Sequence, residues 1–78
     1  MTFFISKQDK LCVLHSFLNH NGICTLHILA KELEYCETLD IKKKKVRAII
    51  PVLEKELNKS VQVKIKRIRN EIYKLDFI

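Results

Sequence analysis

Apolar residues recur at helical spacing three times along this chain, and then the period changes. In "SKQDKLCVLHSFLNHNG" Leu11, Leu14, Phe17 and Leu18 fall on one face of a predicted first helix. Ser6 suits its N-cap, with Asp9 three residues on in a capping-box position. Asn21-Gly22 stops it, Gly22 being suited to a left-handed C′ position. "ICT" is a short β-favouring piece, and Thr25 is placed to cap a second helix, "LHILAKELEY". There Leu26, Leu29, Ala30 and Leu33 form an apolar stripe. After a polar connection, "CETLD", a third helix repeats Val46, Ile49, Ile50, Leu53 and Leu57 on one side. Asp40 is the first choice for its cap and Thr38 the second. Its outward side is then Lys44, Ala48, Pro51 and Lys55, flanked by Lys43, Lys45 and Arg47. Pro51 removes a helical hydrogen bond, so the helix either kinks there or breaks and restarts with Pro51 as its first residue.

Beyond Asn58-Lys59-Ser60 the period is two. "VQVKIKRIR" and "IYKLDFI" read as strands around a turn at Arg69-Asn70-Glu71. Setting Ile68 opposite Ile72 aligns Ile65 with Leu75, Val63 with Phe77 and Lys64 with Asp76. Apolar then meets apolar and opposite charges pair, which a one-residue shift destroys. The tip carries Lys66, Arg67 and Arg69. The expected fold class is α+β, three helices plus a C-terminal β-hairpin, in a single domain over 1–78. The apolar start "MTFFI" (1–5) has no place in the helical core; it suits a strand added to the hairpin edge or a dimer contact.

Composition narrows the class. At 78 residues and 47% hydrophobic, with one Gly and one Pro, the chain is expected to fold around one mainly aliphatic core. A homodimer would help to stabilise a domain this small. No stretch of 18 apolar residues is present, so no membrane partner is expected. "MTFFI" lacks the basic start and cleavage site of a secretory leader. Three cysteines are an odd count for a disulfide framework and point to free thiols in a reducing, cytoplasmic setting.

Charge is one-sided. Residues 1–40 carry three Lys/Arg against five Asp/Glu, and residues 41–78 carry twelve against four. Such a field favours a polyanion or an acidic surface. Taken alone, "KKKKVR" also suits a solvated face or a nuclear-import tag. A second basic cluster at the hairpin tip is what favours nucleic acid.

Other chemistry is thinner. Cys12-x2-His15 and Cys24-x2-His27 have ligand-like spacing, but both lie on or against predicted helices rather than on knuckle-like turns, so no metal or other cofactor is expected. The same pairs lack a carboxylate to orient a thiolate–imidazole couple, and so small a chain leaves little cleft, so no enzymatic activity is expected.

Helix, short strand, helix, helix and a hairpin with a basic tip together resemble a winged helix-turn-helix domain over residues 6–78. The pattern is similar to the amino-terminal winged domains of bacterial transcription activators of the phosphotransferase-regulated and virulence-activator type. The resemblance lies in "TLHILAKEL" as the second helix, "KKVRAIIPVLEKELN" as the recognition helix and "IYKL" in the wing. It implies double-stranded DNA binding by a small transcription regulator, nucleoid-associated, or nuclear in a eukaryotic host. The third helix would enter the major groove and the wing would lie on the backbone. Lys43, Lys44, Arg47 and Ala48 would then face the groove, with Arg47 reading guanine and Ala48 a thymine methyl. Lys42, Lys45, Lys55, Lys66, Arg67 and Arg69 would hold phosphates. Thr25 would offer its hydroxyl and a backbone N–H to another phosphate. "CETLDIKKK" is longer than the family's tight turn, and lysines replace its usual Ser/Thr at the recognition-helix start, which allows weakly specific binding. The alternative is a winged protein–protein module docking on an acidic partner of the transcription or replication machinery.

Overall fold

A computed structural model describes residues 4–34 and 37–78. Its elements are α1 (Lys7–Asn19), β1 (Ile23–Thr25), α2 (Leu26–Glu32), α3 (Leu39–Leu57), β2 (Val63–Arg69) and β3 (Ile72–Phe77). The three strands form one antiparallel sheet in the order β1-β3-β2. Three helices followed by a hairpin packed into this sheet make an α+β fold whose element order is consistent with a winged-helix-like domain.

Helix α1 starts on a complete capping box. The Asp9 N–H donates to Ser6 Oγ (3.1 Å) and the Ser6 N–H donates to Asp9 Oδ2 (3.0 Å). At its other end the Gly22 N–H donates to the Phe17 carbonyl (2.7 Å), with Asn21 and Gly22 both left-handed. The face turned inward differs from the leucine stripe expected. Asp9, Val13, Ser16 and Phe17 are buried, while Leu11 and Leu18 are 49% and 53% exposed. Two stripes at helical spacing compete on this helix, and the winner is the one carrying Asp9, whose carboxylate meets Lys45 of α3.

Helix α2 is shorter than its apolar pattern suggested. Thr25 caps it, accepting from the Ile28 N–H (3.1 Å), and Leu33 leaves the helix with an extended backbone. Tyr35, at the end of the expected helix, lies outside the described residues, as does Cys36. Thr38 rather than Asp40 is the N-cap of α3, and Asp40 sits in the first turn, where its charge suits the positive helix end.

Helix α3 runs unbroken through Pro51. Val46, Ile49, Ile50 and Leu53 are buried as the spacing demanded, against Val13, Phe17, Leu26, Leu29 and Ala30. Pro51 is exposed and supplies no N–H to the preceding turn. Pro51→Ala restores a donor without disturbing the core and is expected to stabilise the domain by about 1–3 kcal/mol. Urea unfolding followed by circular dichroism reads this directly; a loss of stability would mean that the ring makes contacts worth more than the hydrogen bond.

The hairpin is stitched to the end of α3 by side chains. Asn58 caps the helix, and its amide N–H groups donate to the Glu54 and Val63 carbonyls (2.8 and 3.0 Å). Its Oδ1 accepts from the Val63 N–H (3.0 Å), and the Glu54 carboxylate accepts from the Ile65 N–H (2.7 Å). Val63↔Phe77, Lys64↔Asp76 and Ile65↔Leu75 pair as their side chains dictate. Nearer the tip the register departs from expectation: Arg69, not Ile68, faces Ile72, and the ladder is irregular between Arg67 and Arg69. The turn is Asn70-Glu71, with Glu71 left-handed at φ 60°. The third strand is β1, paired to β3. Of the apolar start, Ile5 packs against the core and Phe4 is exposed; residues 1–3 lie outside the described residues.

Candidate nucleic-acid interface

Four consecutive lysines on a helix point in four directions about 100° apart, so they cannot share a face. Their partners show where each goes. Toward α1, the Lys45 ammonium lies 3.5 Å from Asp9 Oδ2, and Glu56 pairs with Lys10 (3.5 Å) and Lys59 (3.3 Å). Lys59, then Lys10, holds the Glu56 carboxyl below its usual range. Toward the hairpin, Glu71 Oε1 lies 3.1 Å from the Lys43 ammonium and 3.9 Å from the Arg47 guanidinium. Lys42 turns toward α2 and borders a groove with His27, Lys31, Glu37 and Leu39.

What remains on α3 is a ridge between the two tied flanks: Lys44, Ala48, Pro51 and Lys55, at i, i+4, i+7 and i+11. Lys44, Pro51 and Lys55 are exposed and Ala48 is half-buried. Lys55 stands at the far end, roughly 16 Å along the axis from Lys44. Arg47 flanks the ridge with 53% of its side chain exposed. Lys45 is the correction here. It is only 8% exposed and joins α3 to α1 instead of reaching out to a phosphate. The Asp9 carboxylate compensates an ammonium that the fold has largely removed from water.

The hairpin carries a second group of cations, on the strand that leads into the turn residue Glu71. Arg67 and Arg69 border a shallow surface at the tip with Ile68 and Asn70. Arg69 is two residues from Glu71, the carboxylate that touches α3. Lys66 is exposed but lies opposite Lys74, farther down the hairpin than Arg69. Such a like-charge pair costs sheet stability and raises the local positive field. Asp76 lies 3.6 Å from Lys74 and offsets part of this.

Thr25 lies on β1, opposite Ile72. Its hydroxyl oxygen is engaged as the α2 cap, and the Leu26 N–H donates to the Glu71 carbonyl (2.7 Å). The expected phosphate seat at this helix start is therefore partly filled by the hairpin turn. Glu71 itself was not among the residues that the sequence pattern singled out. The signal available was its isolation: it is the one acidic residue between Glu56 and Asp76, at a hairpin turn where Asn or Gly would be easier.

Comparison of the chain with protein-family models, curated proteins and solved structures finds no match.

The Cys24–His27 pair is less suited to chemistry than its spacing alone suggests. Burial pushes the Cys24 thiol up, with a hydrogen bond from the Thr25 backbone opposing and nearby Glu32 adding to the rise. A thiol held protonated is a poor nucleophile and a poor ligand. Among the described residues no three His, Cys, Asp or Glu side chains are grouped to hold a metal ion. No helix among them is long and apolar enough to cross a membrane.

Proposed function

We propose that this chain is a winged helix-turn-helix domain that binds double-stranded DNA as a small transcription regulator, with α3 in the major groove and the hairpin tip on the neighbouring backbone. The observation that supports the reading is the uncovered ridge of α3, a helix that the turn of the arginine-bearing hairpin touches through Glu71. The two flanks of the ridge are tied by ion pairs, and Lys44, Ala48 and Lys55 are left to a ligand. Half-exposed Arg47 has the planar fork that fits the O6 and N7 edge of guanine, and Ala48 the size to meet a thymine methyl. Lys44, Lys55, Lys66, Arg67 and Arg69 contribute phosphate contacts, which fix orientation and supply most of the affinity.

Fluorescence anisotropy with duplex DNA across a salt series tests this, with Lys44→Glu/Arg47→Glu alongside. Wild-type affinity is expected to fall with salt at a log–log slope near −0.9 per phosphate contact. The variant is expected to bind at least about tenfold more weakly, roughly 1.4 kcal/mol, with an unchanged melting temperature, because exposed ion pairs contribute little to stability. Absence of wild-type binding even at low salt would overturn the proposal and redirect the search to an acidic protein partner.

A further inference from the structure

We propose that Glu71 is a selectivity-setting residue that stands in for a phosphate in the free protein, so that undifferentiated backbone contact gains little from Lys43 and Arg47. This rests on the DNA-binding reading above.

Three observations converge on Glu71. Its Oε1 touches both Lys43 (3.1 Å) and Arg47 (3.9 Å), the two cations that flank the α3 ridge on the hairpin side. Its carbonyl takes the Leu26 N–H, the first amide of α2. Its backbone is left-handed, a conformation that glycine or asparagine adopts more easily than glutamate. A turn chosen for backbone ease alone would not carry glutamate here. The residue keeps a carboxylate where the hairpin turn meets two cations of α3.

The consequence follows from charge exchange. A bare cation meeting DNA replaces a diffuse counterion, and the released ion drives binding. Lys43 and Arg47 already hold an internal counterion that is tethered and cannot be diluted away. A phosphate must displace Glu71 and gains little in the exchange. A guanine edge needs only donors of Arg47 that remain free, because Glu71 contacts one of its terminal nitrogens at long range. Glu71 therefore penalises contacts that any sequence offers more than contacts that only some sequences offer. Lys44 has no ion pair among the described residues and keeps its general attraction for the backbone.

The test is a salt titration of binding to a random-sequence duplex by wild type, Glu71→Gln and Glu71→Asn. Asn is included because it is neutral and tolerates the left-handed backbone, so the charge effect can be separated from any loss of fold. Both variants are expected to bind random duplex about tenfold more tightly at low salt, with a slope steeper by roughly 0.9–1.8, one to two added phosphate contacts. If wild type binds but both variants show equal or weaker affinity and an unchanged slope, Glu71 is only a tether for the hairpin; this proposal fails and the DNA reading stands. If neither wild type nor variants bind at any salt, the DNA reading fails and takes this proposal with it.

Discussion

Replacing Asp9 by alanine is expected to remove about 3–5 kcal/mol from a domain whose total stability is of the order of 4–12 kcal/mol. Two losses coincide. The capping box of α1 is halved, because the Ser6 N–H loses its acceptor while the backbone N–H of residue 9 still donates to Ser6 Oγ, at a cost near 1 kcal/mol. Lys45, 8% exposed, loses the carboxylate 3.5 Å from its ammonium, and taking that counter-charge from a nearly buried ammonium costs more than the weakened cap. Asp9→Asn separates the two, since the amide oxygen still accepts from Ser6 while the charge is gone. Adding Lys45→Met to Asp9→Asn is expected to recover much of the loss, because a buried ion pair can be replaced by apolar packing at little net cost. Thermal and urea unfolding of wild type, the two single variants and the double variant give the cycle. Additive effects of Asp9→Asn and Lys45→Met would show that the pair is not coupled.

Gly22→Ala is the second substitution expected to be severe, at about 2–4 kcal/mol. Gly22 is left-handed at φ 86°, and a Cβ there would lie 2.8 Å from the Leu75 carbonyl oxygen. That oxygen belongs to the backbone of the central strand and cannot swing aside as a side chain would. The same residue donates to Phe17 and accepts from the Leu75 N–H, both at 2.7 Å, so it joins the end of α1 to β3. At roughly 4–8 °C per kcal/mol for a chain of this size, the melting temperature should fall by roughly 10–25 °C. Asn21→Ala is the control. Asn21 is also left-handed, and its replacement is expected to cost only about 1 kcal/mol. Equal effects at the two positions would remove the role assigned to the close approach on Leu75.

Much of the fold was legible where the information is local. The α3 stripe, the Ser6 and Thr25 caps and the lower hairpin register each depend on residues a few positions apart or directly opposed. The misreadings arose where a distant partner decides. Leu11 and Leu18 compete with Asp9, Val13 and Ser16 for the inward face of α1, Phe17 being common to both stripes, and helical spacing serves both; the tie to Lys45 breaks the symmetry. Within "KKKK", the pattern puts Lys45 among the phosphate-holding cations and carries no sign that a carboxylate from α1 awaits it. The Ile68–Ile72 pairing failed because the irregularity between Arg67 and Arg69 moves Arg69 opposite Ile72. The set of candidate contacts was half visible for the same reason. The cations were plain in the sequence, while Glu71, which ties two of them, acquires its role only when the hairpin folds back on α3.

The stitching of β2 to Asn58 and Glu54 has a consequence for how this molecule can associate. β2 is an edge strand, and an open edge is a template on which another chain can extend the sheet. Here the Val63 N–H and carbonyl and the Ile65 N–H are already taken by helix-borne side chains. The opposite edge, β1, is three residues long. Neither edge offers a long row of vacant backbone groups, so the sheet resists growth into a runaway ladder. Copies that meet are therefore expected to do so through side chains rather than by extending the sheet.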